Sequence, residues 1–560
     1  MTSLFPSDPT EAAFACFSAG DLLGAEAGFR AILADEPGQP DALHGMACLA
    51  RACGQDATAI ALVGRALQKS GVSPDRKARM HLTLALALLA QGHAEAARAA
   101  AHVAVLLQPS DPRAYVALGE ALLALGRRIE ACESLEKAAS LSADDINVRT
   151  QLGTICLDDG RAAAAVRQFR LVVSRRPSDG AALANLGAAL FAANAFEDAR
   201  DVLLRACEAG ARTAETFNSL GLVEMALGDL LAACGTLREA LALRPSDGRI
   251  ANSLGTLLME IGRLDEAEAL FSAIVAREKG EEAERARFNR ATILLGQGRF
   301  AEGWRDFESR RVLLGLVSEV PQWDGSAGAE PVAIVGEQGL GDEVQFLRFL
   351  TQAAKLRPLR LRFRTAALAE LLPGLDQERI LSAEGPVAAE VSLLRLPVIL
   401  GMADVPSTEP YLAVAEKPEA GRIGVCWSGN PSYRFDRRRS VPVGCLEALR
   451  QVRGVRFVAL QPGDAPEWME RVSLETPEDL ARQVGRCALV ISVDTLVAHM
   501  AAALGRPLWL LNREGGDWRW KDVAWYGDVR QFRPPSGAAV AAGWEAVLRD
   551  VVAGLRLQEL

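Results

Sequence analysis

The sequence predicts an α + α/β chain: an N-terminal α-solenoid over residues 10–310, then two open α/β units over 325–412 and 420–560. Three observations carry this fold class. Leu-Gly pairs recur at a fixed interval through the first half. The apolar pattern changes period after residue 320. In the second half, polar Gly-rich stretches follow the apolar runs.

The interval in the first half is 34 residues, from Gly119 to Gly153, Gly187, Gly221 and Gly255. Twelve residues after each stands an alanine: Ala131, Ala165, Ala199, Ala233 and Ala267. Seven after each stands Gly126, Gly160, Asn194, Gly228 or Gly262. Such residues end a first helix, and the small alanine lets a second helix pack closely against it. Pro109, Pro177 and Pro245 close the second helix. This is the tetratricopeptide-repeat (TPR) period. Gly92, Gly54 and Gly20 extend it backwards, with SGVSPDRK as an insertion, and Ala301 ends it in a divergent unit, giving about eight units. One helix pair cannot bury its apolar face, so stacked pairs form a superhelix with a concave groove. Asn218 and Asn252 share one position on the first helix. Facing the groove, their amides would both donate to and accept from a docked peptide backbone. A plain scaffold is the other reading of the array.

After residue 320, short apolar runs alternate with amphipathic helices, the pattern of parallel βαβ sheets. PVAIVGE (331–337) reads as a strand and 343–354 as its helix, with further strands at 359–364 and 391–395. A linker at 412–421 precedes strands at 422–429, 455–461, 489–494 and 507–512. A closing helix over 537–556 carries Val540, Trp544, Val547, Leu548, Val551 and Leu555 on one stripe. This half is expected to have its own core. Ligands of such sheets bind beyond the carboxyl ends of the strands, which selects the loops 336–342, 427–440, 461–464, 492–499 and 512–520.

Composition narrows the function. The 560 residues carry a net charge of −9 with both signs interspersed, and no basic stripe points to nucleic acid. Ten cysteines stand singly without a CxxC pair, which predicts neither a disulfide framework nor a zinc site. No apolar run is long enough for a membrane span, and the start MTSLFPSDPTEAAF lacks a signal-peptide pattern. These features predict a cytoplasmic location.

Three motifs carry chemistry. GEQGLGDE (336–343) is a Gly-rich strand-to-helix turn, neither GxGxxG nor a P-loop. Gly339 and Gly341 permit close approach of a ligand, and Asp342 is either a helix cap or a general base facing the cleft. WSGNPSYRFDRRRS (427–440) gathers Ser428, Asn430, Arg434, Arg437, Arg438 and Arg439 beside Asp436. It is a solvated basic loop or a clamp for phosphate, to which guanidinium is suited. SVDTLVAHMAAALGRP (492–507) joins a strand end to a helix start that favours an anion. Thr495 offers a hydroxyl, and His499, one turn on, is structural or a ligand contact.

With FNRATILLGQGRFAEGWRDFESRR, PQWDG, DWRW and WYGDVRQFR, these motifs resemble bacterial TPR glycosyltransferases over nearly the whole chain. Their catalytic part is similar to heptosyltransferases, with a GT-B fold of two Rossmann-type lobes. The resemblance implies Asp342 as general base and Arg439 against the donor phosphate. It implies Asp494, Thr495 and His499 at the donor nucleotide, and Trp518, Arg519 and Trp520 near the same cleft. Asn512, where relatives often have proline, and a short stretch between WRW and WY depart from the pattern.

These readings together predict an inverting transferase that moves a sugar from a nucleotide donor to a hydroxyl of a protein acceptor docked by the repeats. Flagellin is the preferred acceptor. No cofactor is expected, and no metal, since the second half holds no DxD motif or ligand cluster. The rival readings are a non-catalytic TPR adaptor with a relic transferase domain, and a transferase acting on a lipid-linked or free glycan.

Overall fold

The computed structural model describes residues 8–142, 144–402, 407–431, 433, 436–513, 515–521, 525–535 and 539–557. The chain divides into two compact units, Met1–Ala211 and Arg212–Leu560, so the division falls inside the repeat array.

The first unit consists of antiparallel helix pairs, from Pro9–Ser18 with Leu22–Asp35 to Gly180–Ala192 with Phe196–Glu208. The repeat positions explain the pairing. A Cβ on Gly153 would lie 2.8 Å from the ring of Phe169, so the glycine lets the second helix lay a large side chain against the first. Asn194 ends its helix at φ 59°, in the left-handed region where glycine stands in the neighbouring repeats. Asp111, Asp145 and Asp179 cap the next helices by accepting backbone N–H bonds. The insertion does not only lengthen a linker: its PDRK opens the 17-residue helix Pro74–Ala90.

The second unit begins with three further pairs, Ala214–Leu227 with Leu230–Leu243, Gly248–Glu260 with Leu264–Arg277, and Glu281–Gly296 with Phe300–Phe307. The described residues thus hold nine pairs, one more than the count of about eight. Two parallel sheets follow. The first has the order β3-β2-β1-β4, with β1 Val332–Val335, β2 Leu359–Arg362, β3 Ile380–Leu381 and β4 Ala389–Ser392. The second has the order β10-β9-β8-β5-β6-β7. Its strands are β5 Glu419–Cys426, β6 Arg456–Ala459, β7 Glu470–Arg471, β8 Cys487–Val493, β9 Leu508–Leu511 and β10 Val529–Phe532.

Several boundaries differ from the sequence pattern. The helix expected over 343–354 begins at Leu340 and is interrupted by a 3₁₀ turn at Leu347–Phe349. The strand expected at 391–395 is β4, which ends at Ser392 because its hydroxyl accepts the N–H of Leu394 and opens a 3₁₀ turn. β5 takes up the end of the expected linker. β3, β7 and β10 were not predicted; the first two are two residues long, and Glu470 and Arg471 carry no apolar signal.

One core of this half, around β5, β8 and the closing helix, is its own, but the other is shared with the last repeat. Trp304 and Phe307 of the last repeat pack with Phe346, Trp518 and Trp525, the Trp304 ring lying 6.0 Å from both Phe346 and Trp518. Below the repeat, the buried Arg310 donates to Glu337 at 2.7 Å and to the carbonyl of Phe307 at 2.8 Å. The first glutamate of GEQGLGDE therefore ties its turn to the repeat exit. Among the described residues no helix is long and apolar enough to cross a membrane.

Candidate active site

A cavity of about 630 Å³ opens in the second unit, lined by turns beyond the carboxyl ends of strands from both sheets. β1 leads to Gly339, Gly341 and Asp342, and β2 to Arg364. β5 leads to Ser428, Gly429, Asn430 and Arg439, β8 to Asp494, Thr495 and His499, and the turn after β9 to Asp517 and Arg519. In the second sheet β5 lies between β6 and β8, so the chain reverses direction of travel at this point, where open parallel sheets place their crevice.

Asp342 occupies the third position of the helix Leu340–Phe346, where one carboxylate oxygen accepts the N–H of Gly339 at 3.0 Å. Its other oxygen meets Arg519 Nη2. Asp342 is thus a capping residue and a member of an ion pair that joins the two sheets' turns. The buried Arg519 also donates to Asp517 Oδ1 at 2.9 Å and to Gln345, and lies 4.4 Å over the Trp518 ring. Burial opposes its charge, but Asp517 and Asp342 outweigh burial and hold the guanidinium protonated. Gly341 approaches His499 so closely that a Cβ there would lie 2.8 Å from the ring, so this glycine is fixed by packing between the two turns.

Arg439 is held on two sides. Asp436 Oδ1 accepts from its Nε at 3.0 Å and its Nη2 at 2.6 Å, and the ring of Tyr433 lies 5.1 Å from the guanidinium. Ser440 donates to the second oxygen of Asp436 at 2.7 Å and accepts the N–H of Gly429 at 2.9 Å. Gln461 shapes the base of the same loop, accepting the N–H groups of Trp427 and Ser428 and donating to the Ser428 hydroxyl.

The helix Leu496–Ala503 starts at the cavity, and no side chain caps its first turn. Backbone N–H groups at such a start form an anion site. The Thr495 hydroxyl is turned inward, donating to the carbonyl of Val493 at 3.3 Å, so the backbone and not this hydroxyl is offered to a ligand. Asp494 accepts from Trp520 Nε1 at 2.7 Å. Burial, then the charge of Asp517, push the Asp494 carboxyl up to about 6. Burial also opposes ionisation of Asp517, but Arg519 wins and holds that carboxyl below its ordinary value. His499 is buried, its Nδ1 2.9 Å from the Tyr526 hydroxyl and its ring 4.9 Å from Trp520. Burial, then the charge of Arg519, push its imidazole down to about 3, so it is neutral near pH 7.

Asp342, Gly339, Gly341, Ser428, Asn430, Arg439, Asp494, Thr495 and His499, which the sequence singled out, therefore meet in one cavity. Four others do not. Trp518 is buried against Trp304, Phe307 and Trp525, while its neighbours Asp517 and Arg519 line the cavity. Arg437 is exposed outside the lining, on the side of its short helix away from Arg439. Arg434 lies outside the described residues. Asn218 and Asn252 are buried, at 4% and 3% exposure, and do not stand open to a docked chain. The Asn252 amide instead donates to the carbonyl and carboxylate of Glu282 in the next repeat, at 3.0 and 2.7 Å. The sequence reading passed over Asp517, Arg364, Gln461 and Thr476, all in the lining; loop position alone pointed to Gln461 and Asp517.

The family model described as Tetratricopeptide repeat matches residues 82–146, 150–213, 218–281 and 253–307. The protein contains tetratricopeptide repeats. Protein FlbA of Caulobacter vibrioides is 27% identical over 582 residues, an alignment spanning 91% of this chain and 94% of FlbA. Among solved structures, TTC0263, a thermophilic TPR protein of Thermus thermophilus, is 27% identical, covering 33% of this chain and 99% of its own at a TM-score of 0.29. YrrB, described as a TPR protein with an unusual peptide-binding site, is 18% identical, covering 34% of this chain and 96% of its own at a TM-score of 0.31.

Proposed function

We propose that this TPR protein is a glycosyltransferase that moves a sugar from a nucleotide donor to a hydroxyl of a protein held by its repeats. One observation carries the reading: turns from two parallel sheets converge on a single cavity in which Arg439, Arg519 and an uncapped helix start meet Asp342, Asp494 and Asp517. On this reading the sheets are the two lobes of a GT-B fold, with the donor against the second. The donor phosphate lies between Arg439 and the first turn of Leu496–Ala503. Both oppose the negative charge that grows as the bond from anomeric carbon to phosphate oxygen breaks. The phosphate leaves with the bonding electron pair. The acceptor oxygen bonds to the opposite face of the anomeric carbon and gives its proton to Asp342. To act as base, Asp342 exchanges its Gly339 contact for the acceptor hydroxyl, while Arg519 holds the other oxygen.

Stacked repeats of this class present concave binding surfaces, which supports a protein acceptor, and flagellin is the first to assay. The test incubates the full chain with a panel of nucleotide sugars and follows donor hydrolysis and the intact mass of the acceptor. Donor turnover with a mass gain of one sugar is the expected result. A chain that binds and turns over none of the donors overturns the reading. It would leave a non-catalytic adaptor, which one observation favours: both oxygens of Asp342 are already engaged within the protein.

A further inference from the structure

A single carboxylate from the repeats reaches the two loops that frame the cavity. Glu260, the last residue of the helix Gly248–Glu260, is 8% exposed. Its Oε2 accepts from Arg438 Nη1 at 2.9 Å and also from Arg513 Nη1. Arg438 precedes Arg439 in the helix Asp436–Arg439, and Arg513 stands four residues before Asp517. Gly515, at φ 73°, approaches the Glu260 backbone so closely that a Cβ there would lie 2.6 Å from its Cα.

Helix stability does not account for this residue. A carboxylate at the C-terminal end of a helix opposes the macrodipole. The repeat register does not ask for it either: the equivalent positions are Ala124, Ala192 and Ala226, and Asp158 at the remaining one makes an exposed pair with Arg128. Glu260 departs from the repeat pattern where two guanidinium groups from distant loops meet. Burial works against the Arg513 charge, and Glu260 outweighs it. Without the carboxylate, the buried Arg438 and the half-buried Arg513 would face each other as like charges, an arrangement that drives the loops apart.

We propose that Glu260 is a positioning residue, through which the eighth helix pair fixes the loop segments that carry Arg438 and Arg513 beside the cavity. Its effect on donor binding rests on the glycosyltransferase reading; the fixing of the loops does not. Hydrogen exchange on the full-length chain separates the two. In Glu260→Gln, amides of both loops should exchange roughly 2- to 30-fold faster, the range of a coupling carried through one packed contact, while β5 and β8 stay protected. Arg438→Gln should loosen its own segment alone, and it decides the matter if Glu260→Gln fails to fold. The effects of the two substitutions should not add, because they act on one ion-pair network.

Uridine, guanosine, adenosine and cytidine diphosphates serve as probes of the cavity. If the wild type binds one of them, Glu260→Gln should weaken it by a similar factor and raise the donor KM with little change in kcat. Unchanged exchange in both loops of a folded Glu260→Gln overturns the inference, and loosened loops with equal nucleotide affinity overturn its effect on donor binding. Loosened loops in a protein whose wild type binds none of the probes would sustain the positioning role and sink the donor site instead.

Discussion

In the repeat pair Pro112–Ala124 with Arg128–Leu141, charged side chains serve the array: Arg127 pairs with Glu130, and Arg128 reaches Asp158 and Asp159 of the adjoining repeat. All are at least partly exposed, and such pairs contribute little to stability. In the pair Gly248–Glu260 with Leu264–Arg277, a buried carboxylate leaves the array for Arg438 and Arg513. The last pair goes further and gives Trp304 and Phe307 to the core of the α/β half. The 34-residue period is the same in both regions. It encodes how one helix pair stacks on the next, and nothing about what else a pair supports. That second role is written at positions outside the period.

The sharpest way to break this comparison is to cut the chain at two places. A fragment of residues 212–560 keeps one compact unit whole and should unfold cooperatively with nucleotide affinity intact. A fragment of residues 325–560 loses Trp304 and Phe307 and exposes Phe346, Trp518 and Trp525. Removing one buried Trp or Phe typically costs about 3–5 kcal/mol, so losing two is expected to cost an amount comparable with the whole stability of a domain, about 5–15 kcal/mol. Circular dichroism melts of both fragments check this. A cooperative transition in 325–560 would mean that the α/β half has its own sufficient core.

Two substitutions sharpen the contrast between the cavity's own turns. Asp342→Asn should leave donor affinity near that of the wild type and slow transfer by about 10²–10⁴-fold, the usual contribution of a general base. Transfer near the wild-type rate would reduce Asp342 to its cap and its pair with Arg519. Arg439→Ala should weaken nucleotide binding by roughly 1.5–3 kcal/mol, the range for a hydrogen bond to a charged group, as read by calorimetry. Unchanged affinity in a folded variant would rule out the phosphate clamp.

Local signals in the sequence and long-range ones were not equally legible. The repeat period, the change of period near residue 320 and the loops at strand ends all rest on residues close in sequence. Accordingly Gly339, Asp342 and the arginine loop could be assigned to one cleft from loop position, and Asp494 from the family resemblance. Which face of a short turn looks into that cleft is a tertiary matter. In WRW the bulkiest residue drew attention, yet Trp518 has its partners in the repeats and Arg519 has the cavity. The paired asparagines failed for a related reason. One repeat position can face either the groove or the next helix, and Glu282 is what draws Asn252 to the latter. The link from Glu260 to Arg438 spans 178 residues and leaves no mark in any local pattern.

The smallest effect expected is a compensation between two titrating neighbours. His499, pushed down to about 3 in the folded chain, binds a proton in the unfolded chain near pH 6.5. Its contribution to stability is fully present above pH 6.5 and is lost progressively as pH falls towards 3. Asp494 has the opposite sign. Pushed up to about 6, it holds a proton in the folded chain that the unfolded chain gives up near 3.8, so between these values it favours folding as pH falls. Over roughly two pH units each contribution is on the order of 2–3 kcal/mol, and between about pH 4 and 6 they largely cancel. The contribution of this pair to the slope of stability against pH in that window should therefore be slight. In His499→Gln only the Asp494 contribution remains, so acidification from pH 6 to 4 should cost the variant about 2 kcal/mol less stability than it costs the wild type. Urea titrations of both proteins at half-unit pH steps measure the difference. Parallel curves would show that His499 keeps an ordinary affinity for its proton, and that its packing against Tyr526 and Trp520 does not exclude the charged form.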